Sequence, residues 1–161
     1  MAEAEGPVPV PVLVIEFDDA VRGTLRDVLG IVGDRYAVTE VDTEAEALAY
    51  LASSPAAEGM VVVCSNKFAD HRLSVAFFSA VVADRHLARR HQYIMLSSSP
   101  GYMPGVLRAF LGQLHAPVLP KPFDIDDFLA AVSAAAERLA LARSPVWRRW
   151  KLWQGRARQQ M

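Results

Sequence analysis

The sequence predicts an α/β fold of three layers, a central five-stranded parallel sheet covered by helices on both faces, and three observations predict it. Short runs such as Val12-Leu13-Val14-Ile15 and Met60-Val61-Val62-Val63-Cys64 are continuously apolar rather than alternating, which marks strands buried on both sides. The stretches between such runs repeat apolar residues at helical spacing. The two patterns alternate along 161 residues as a (βα)5 order, which requires a parallel sheet with right-handed crossovers.

The elements follow in order. Pro9 and Pro11 stop short of the first apolar run, so the first strand is expected over Val12–Glu16. Val21, Leu25, Val28, Leu29 and Val32 then recur on one helical face, with Gly33 as a stop. Tyr36–Val41 is a second strand. Thr43 with Glu46 three residues on forms a capping box for a helix through Leu48 and Leu51, ending before Pro55. Met60–Cys64 is the third strand, and Leu73, Phe77, Ala80 and Val81 stripe the helix after it. Tyr93–Ser97 is the fourth strand. Pro104 suits a helix first turn, with Val106, Phe110, Leu111 and Leu114 on the apolar face. Pro117–Leu119 is a short strand placed at a sheet edge by its proline. Asp124 is an N-cap for a last helix using Ile125, Phe128, Leu129, Val132, Ala136 and Leu139.

Composition bounds the function. Fifty-two per cent hydrophobic and 22 per cent charged residues suit one globular domain with a true core, not a disordered chain. One cysteine excludes an internal disulfide and is compatible with a reducing cytoplasm, the expected location. Met1–Gly6 is acidic and lacks a basic segment leading into an apolar one, which argues against a secretory signal. No apolar run approaches the roughly 20 residues that span a bilayer. Charge is divided by region: before residue 143 there are eleven basic and all eighteen acidic residues, net −7, whereas the six cations from Arg143 onward give +6.

Four stretches carry a resemblance to a known family. They are Val12-Leu13-Val14-Ile15-Glu16-Phe17-Asp18-Asp19 with Arg22; Met60-Val61-Val62-Val63-Cys64; Ile94-Met95-Leu96-Ser97-Ser98; and Leu119-Pro120-Lys121-Pro122-Phe123-Asp124. In this order and spacing, roughly over residues 10–140, the chain resembles the receiver domain of two-component response regulators, the CheY-like domain with flavodoxin-type strand order. The resemblance implies an acidic cluster after the first strand, a phosphoacceptor aspartate ending the third, a hydroxyl ending the fourth and an invariant lysine after the fifth. In that family an aspartate attacks a phosphoryl group whose charge a magnesium ion, held by carboxylates and a carbonyl, neutralises.

This sequence departs from the family at the centre of that reaction. Cys64 falls on the phosphoacceptor position and Phe17 on the second acidic position, a metal ligand in the family. Glu16 keeps a carboxylate at the first acidic position, and Ser97 and Lys121 are retained. Asp18 and Asp19 are acids one and two places late. Val118 stands where the family often carries an aromatic residue, which removes the carrier of its usual hydroxyl-to-aromatic coupling. Lys121 is expected to pair with Glu16 instead. The site positions Cys64, Glu16, Phe17, Ser97 and Lys121 therefore read as a degenerate phosphorylation site with no cofactor and doubtful magnesium binding.

Other features weigh less. Cys64 is either a buried apolar filler or a sensing thiol made reactive by Lys121, and the filler reading weighs more. His71, His86, His91 and His115 share no helical face, which argues against a metal site. Ser97 lies in no Gly-x-Ser-x-Gly elbow, and no glycine-rich phosphate loop follows the first strand, so an enzyme is not expected. All three tryptophans lie in the basic tail, where Trp147, Arg148, Arg149, Trp150, Lys151 and Trp153 interleave rings with cations. Packing back on the domain or a homodimer contact comes first for this tail, a partner protein or anionic membrane surface second, and nucleic acid last.

The expected organisation is an N-terminal arm over 1–9, a receiver-like domain over 10–141 and a basic, tryptophan-rich extension over 142–161. The expected function is that of an atypical single-domain response regulator, or pseudo-receiver. With no output domain following, it would act in two-component or phosphorelay signalling by protein–protein contact with a histidine kinase or another regulator. The contact face would be built from the helix after the fourth strand, the fifth strand and the last helix. The alternatives are a redox- or ligand-sensing module using Cys64, or a receiver with residual, non-standard phosphoacceptance.

Overall fold

The computed structural model describes residues 6–53, 56, 58–66 and 72–144. The tail residues Trp147, Arg148, Arg149, Trp150, Lys151 and Trp153, together with His71 and Pro55, lie outside the described residues. The strands are β1 (Val10–Ile15), β2 (Tyr36–Val41), β3 (Val61–Ser65), β4 (Gln92–Ser97) and β5 (Val118–Pro120). The helices are α1 (Asp19–Gly30), α2 (Glu44–Leu51), α3 (Arg72–Ala83), α4 (Arg85–Arg90), α5 (Gly105–Gln113) and α6 (Ile125–Arg143). The sheet is parallel throughout, in the order β2-β1-β3-β4-β5.

Period-two alternation along the strands divides the core in two. Leu13, Ile15, Val62, Cys64, Tyr93 and Met95 face α2, α3 and α5, where they meet Ala47, Leu51, Phe77, Phe78, Leu107 and Leu111. Val12, Val14, Val61, Val63, Ile94 and Leu96 face α1 and α6, against Leu25, Val28, Leu29, Phe128, Val132 and Leu139. Both faces being covered is the physical reason why these strands read as unbroken apolar runs.

Local signals set most boundaries. Asp18 caps α1 by accepting from Ala20 N and Val21 N, and Asp124 caps α6 by accepting from Asp127 N. Thr43 caps α2 by accepting from Glu46 N at 3.2 Å, but Glu46 reaches back to Asp42 N at 3.4 Å and not to the cap residue itself. β1 starts two residues earlier than its prolines suggest. β3 pairs with β1 only from Val12 onward, so Pro11 sits where one flank of the strand is unpaired. β5 is an edge strand, as its prolines require.

Three expectations are corrected. A sixth helix, α4, stands between α3 and β4; Asp84 caps it, and Tyr93 donates its hydroxyl to Leu87 O at 2.8 Å, tying it to the sheet. The buried face of α5 is Leu107 and Leu111, with Val106 turned outward. α1 ends at Gly30, which leaves Val32 outside the helix and exposed.

His91 has a structural role. Met60 N donates to its Nδ1 at 3.0 Å inside the protein, which pins the start of β3 and leaves the ring proton on Nε2. Burial, then the nearby Arg90, lower its pKa to about 4. The folded value lies below the unfolded one, so below pH about 6.5 the unfolded chain binds a proton that the folded chain refuses. Stability contributed by neutral His91 is therefore full above that pH and is lost as pH falls toward 4, by about 3 kcal/mol at most. Urea midpoints should drop more steeply between pH 7 and pH 4 in the native protein than in His91→Asn; parallel slopes would contradict this role.

Candidate functional site

The carboxyl ends of β1, β3, β4 and β5 lie side by side at one edge of the sheet, where open parallel sheets place their chemistry. Register decides what each contributes. Ile15 pairs with Cys64 and Cys64 with Met95, and this row faces the core beneath α2, α3 and α5. Cys64 has no solvent exposure at all. One residue further along, Glu16 and Ser65 turn toward the sheet's end, and the Ser65 hydroxyl donates to Glu16 Oε2.

Glu16 is the hub of the site. Its Oε2 also accepts from Lys121 Nζ at 3.3 Å, and its Oε1 accepts from Asp18 N at 2.9 Å. Lys121 further donates to Asn66 O at 2.8 Å. Glu16 is buried, so its charge is held by one cation and two hydrogen-bond donors instead of by water. Ser97 is buried too; its hydroxyl accepts from Ser99 N at 3.2 Å, and its carbonyl accepts from Lys121 N at 2.8 Å, which sets the lysine beside the carboxylate.

The two late acids serve local structure. Asp18 is the α1 cap, and Asp19 pairs with Arg22. Arg22 also donates to Glu16 O at 2.7 Å and Asp42 Oδ1 at 2.6 Å, joining the ends of β1 and β2. Neither acid supplies a second carboxylate beside Glu16. Phe17 is 40 % exposed and lines a cleft of about 170 Å³ with Glu16, Asp42, Glu44 and Ser65.

Magnesium would need several hard oxygen ligands in octahedral array. Both Glu16 oxygens are engaged, the neighbouring position is an aromatic ring, and no group of three His, Cys, Asp or Glu side chains among the described residues is placed to hold a metal ion. Among the described residues, the donors at this edge do not make up the set such an ion needs.

The thiol of Cys64 is held protonated. Burial pushes its pKa far up, the carboxylates of Glu44 and Glu16 push in the same direction, and Lys121 opposes them only partly. Native protein should resist a thiol-alkylating reagent from pH 7 to pH 9 and react fully once unfolded in urea. Rapid native reaction that rises with pH would show an accessible thiolate.

The structure thus brings Glu16, Ser97 and Lys121 together and turns Cys64 away into the core. Sequence reasoning missed Ser65 and the carbonyl of Asn66 as members of the cluster. The only signal was two small polar residues directly after an apolar strand.

No family model matches the chain, and no curated protein matches it either. Solved structures do. The signal receiver domain of an HD domain-containing protein from Pseudomonas fluorescens Pf-5 is similar with a TM-score of 0.64 at 17% identity, over 82% of this chain and 98% of that one. The Vibrio cholerae chemotaxis protein CheY4 gives 0.60 at 18% identity, over 79% and 98%. A CheY-like response regulator receiver domain protein from Methanospirillum hungatei JF-1 gives 0.60 at 18% identity, over 82% and 97%. The chain therefore has the receiver-domain fold, with its flavodoxin-like strand order. Among the described residues no helix is long and apolar enough to cross a membrane.

Proposed function

We propose that the protein is a receiver-type regulator of two-component signalling that works by docking and not by aspartyl phosphorylation. One observation carries the reading: Cys64, which the resemblance puts at the acceptor position, is wholly buried and faces the core, Ser65 at the strand's end is held by Glu16, and Lys121 is occupied by Glu16 and the Asn66 carbonyl. Among the described residues of this cluster, the Cys64 thiol is out of a phosphoryl group's reach and the Lys121 ammonium is already engaged.

The docking face is formed by α5, β5 and α6. Val106 is 49 % exposed on α5, Tyr102 is 89 % exposed in the turn before it, and Ile125 is exposed at the start of α6. Apolar groups of this size at a surface suit a protein partner. The partner is a histidine kinase or another regulator, by analogy of fold. Affinity capture from the cell of origin tests the reading with native protein, Val106→Asp and Cys64→Ala. A histidine kinase or another regulator should be retained by the native and Cys64→Ala proteins and lost with Val106→Asp. Retention of no signalling protein, or retention that depends on Cys64, would contradict it.

A further inference from the structure

Among the described residues, a cluster of cations lies at the opposite, amino-terminal edge of the sheet. There α4, the segment before β3 and the end of α6 flank an open, solvent-facing cavity of about 430 Å³. Arg85, His86, Arg89 and Arg90 of α4 and Arg143 of α6 line it. Among the described residues none of these five forms an ion pair, and Glu58, the one acid on the rim, pairs with none of them. Arg143 is oriented by donating to Gly59 O at 2.8 Å.

Arg89, Arg90 and Arg143 sit in last helical turns, where the dipole favours cations, but their crowding with Arg85 is mutually repulsive. Arg85 and Arg89 are four residues apart on a six-residue helix, where like charges destabilise. The positive potential reaches the interior as well, since Arg90 helps to lower the pKa of His91. Leu139 and Ala142 give the cavity an apolar floor. Beyond Ser144, next to Arg143, the chain continues with five more cations and no acid.

Arginine presents a planar fork of donors that matches phosphate oxygens, and unpaired arginines around a concave surface focus positive potential on what enters it. The volume lies within the range of small-molecule sites. We propose that this cavity binds a phosphate compound of nucleotide size, with its phosphates on Arg85, Arg89 and Arg143 and its ring on Leu139 and Ala142. The site is independent of the reading given for the carboxyl edge.

Calorimetric titration of the full chain with ATP at low salt tests it, with tripolyphosphate as the ring-free probe. One saturable site per chain is expected, with tripolyphosphate binding more weakly than ATP. Arg85→Gln/Arg89→Gln, which removes two charge-assisted contacts, should raise Kd at least about tenfold. If that variant melts earlier than the native protein, Arg85→Lys/Arg89→Lys decides: it keeps the charge but loses the fork, and Kd should still rise. The proposal is overturned by absence of saturable binding at millimolar ATP, by an unchanged Kd in the folded variants, or by tripolyphosphate binding as tightly as ATP. It is equally overturned if single-stranded DNA or phosphatidylglycerol vesicles bind through these arginines in preference to ATP.

Discussion

Replacing Cys64 by aspartate, the residue a phosphoacceptor requires, should destabilise the protein by about 3 kcal/mol or more at pH 8. The side chain would sit in a row with Ile15 and Met95, inside the core and without water. The carboxylates of Glu44 and Glu16 would repel its charge, and Lys121 is already engaged by Glu16 and Asn66. Burial and repulsion both raise the carboxyl pKa above its unfolded value of roughly 3.9. The destabilisation should therefore grow as pH rises from 4 to 8, because the folded state resists the ionisation that the unfolded state accepts. Urea denaturation at the two pH values checks this. An aspartate variant as stable as the native protein at pH 8 would mean that position 64 opens readily to the sheet's end.

Gly59→Ala should be comparably damaging, for a reason unrelated to charge. Gly59 has φ +89°, a conformation that L side chains rarely adopt, and an added Cβ would lie 2.5 Å from the Arg90 carbonyl oxygen. That oxygen belongs to the backbone leading into β4, so it cannot swing aside as a side chain would. Strain and contact together should cost about 3 kcal/mol, which lowers the melting temperature of a domain this size by roughly 10 °C. A loss of under about 1 kcal/mol would show that the turn before β3 relaxes easily.

How far the sequence carried the reading depends on the kind of signal. Strands buried on both faces announce themselves, because no polar residue can interrupt them, and the parallel sheet followed from that. Asp18, Thr43 and Asp124 are caps whose chemistry is local, although in the sequence Asp18 resembles a displaced acid of the site. α4 escaped notice because six residues offer less than two turns of periodicity, and its Leu87 and Ala88 make no stripe. Val106 is misleading by sequence because Val106, Leu107, Phe110, Leu111 and Leu114 fit two neighbouring stripes, and only packing selects Leu107 with Leu111.

The site was half readable. Its members Glu16, Ser97 and Lys121 are named by the resemblance to receiver domains, but the side to which Cys64 points depends on register across three strands, which no local pattern contains. The arginine cavity was unreadable for the same reason. Gly59, the run from Arg85 to Arg90 and Arg143 are distant along the chain and meet only once the sheet has formed.

The central claim is that the carboxyl edge of the sheet no longer accepts a phosphoryl group. Beryllofluoride with magnesium, added to the full chain and followed through the backbone amide resonances of Asn66, Ser97 and Lys121, tests it most directly. No change is predicted beyond that produced by magnesium and fluoride alone. Saturable, beryllium-dependent shifts at those three residues would show a working phosphoryl site and contradict the account.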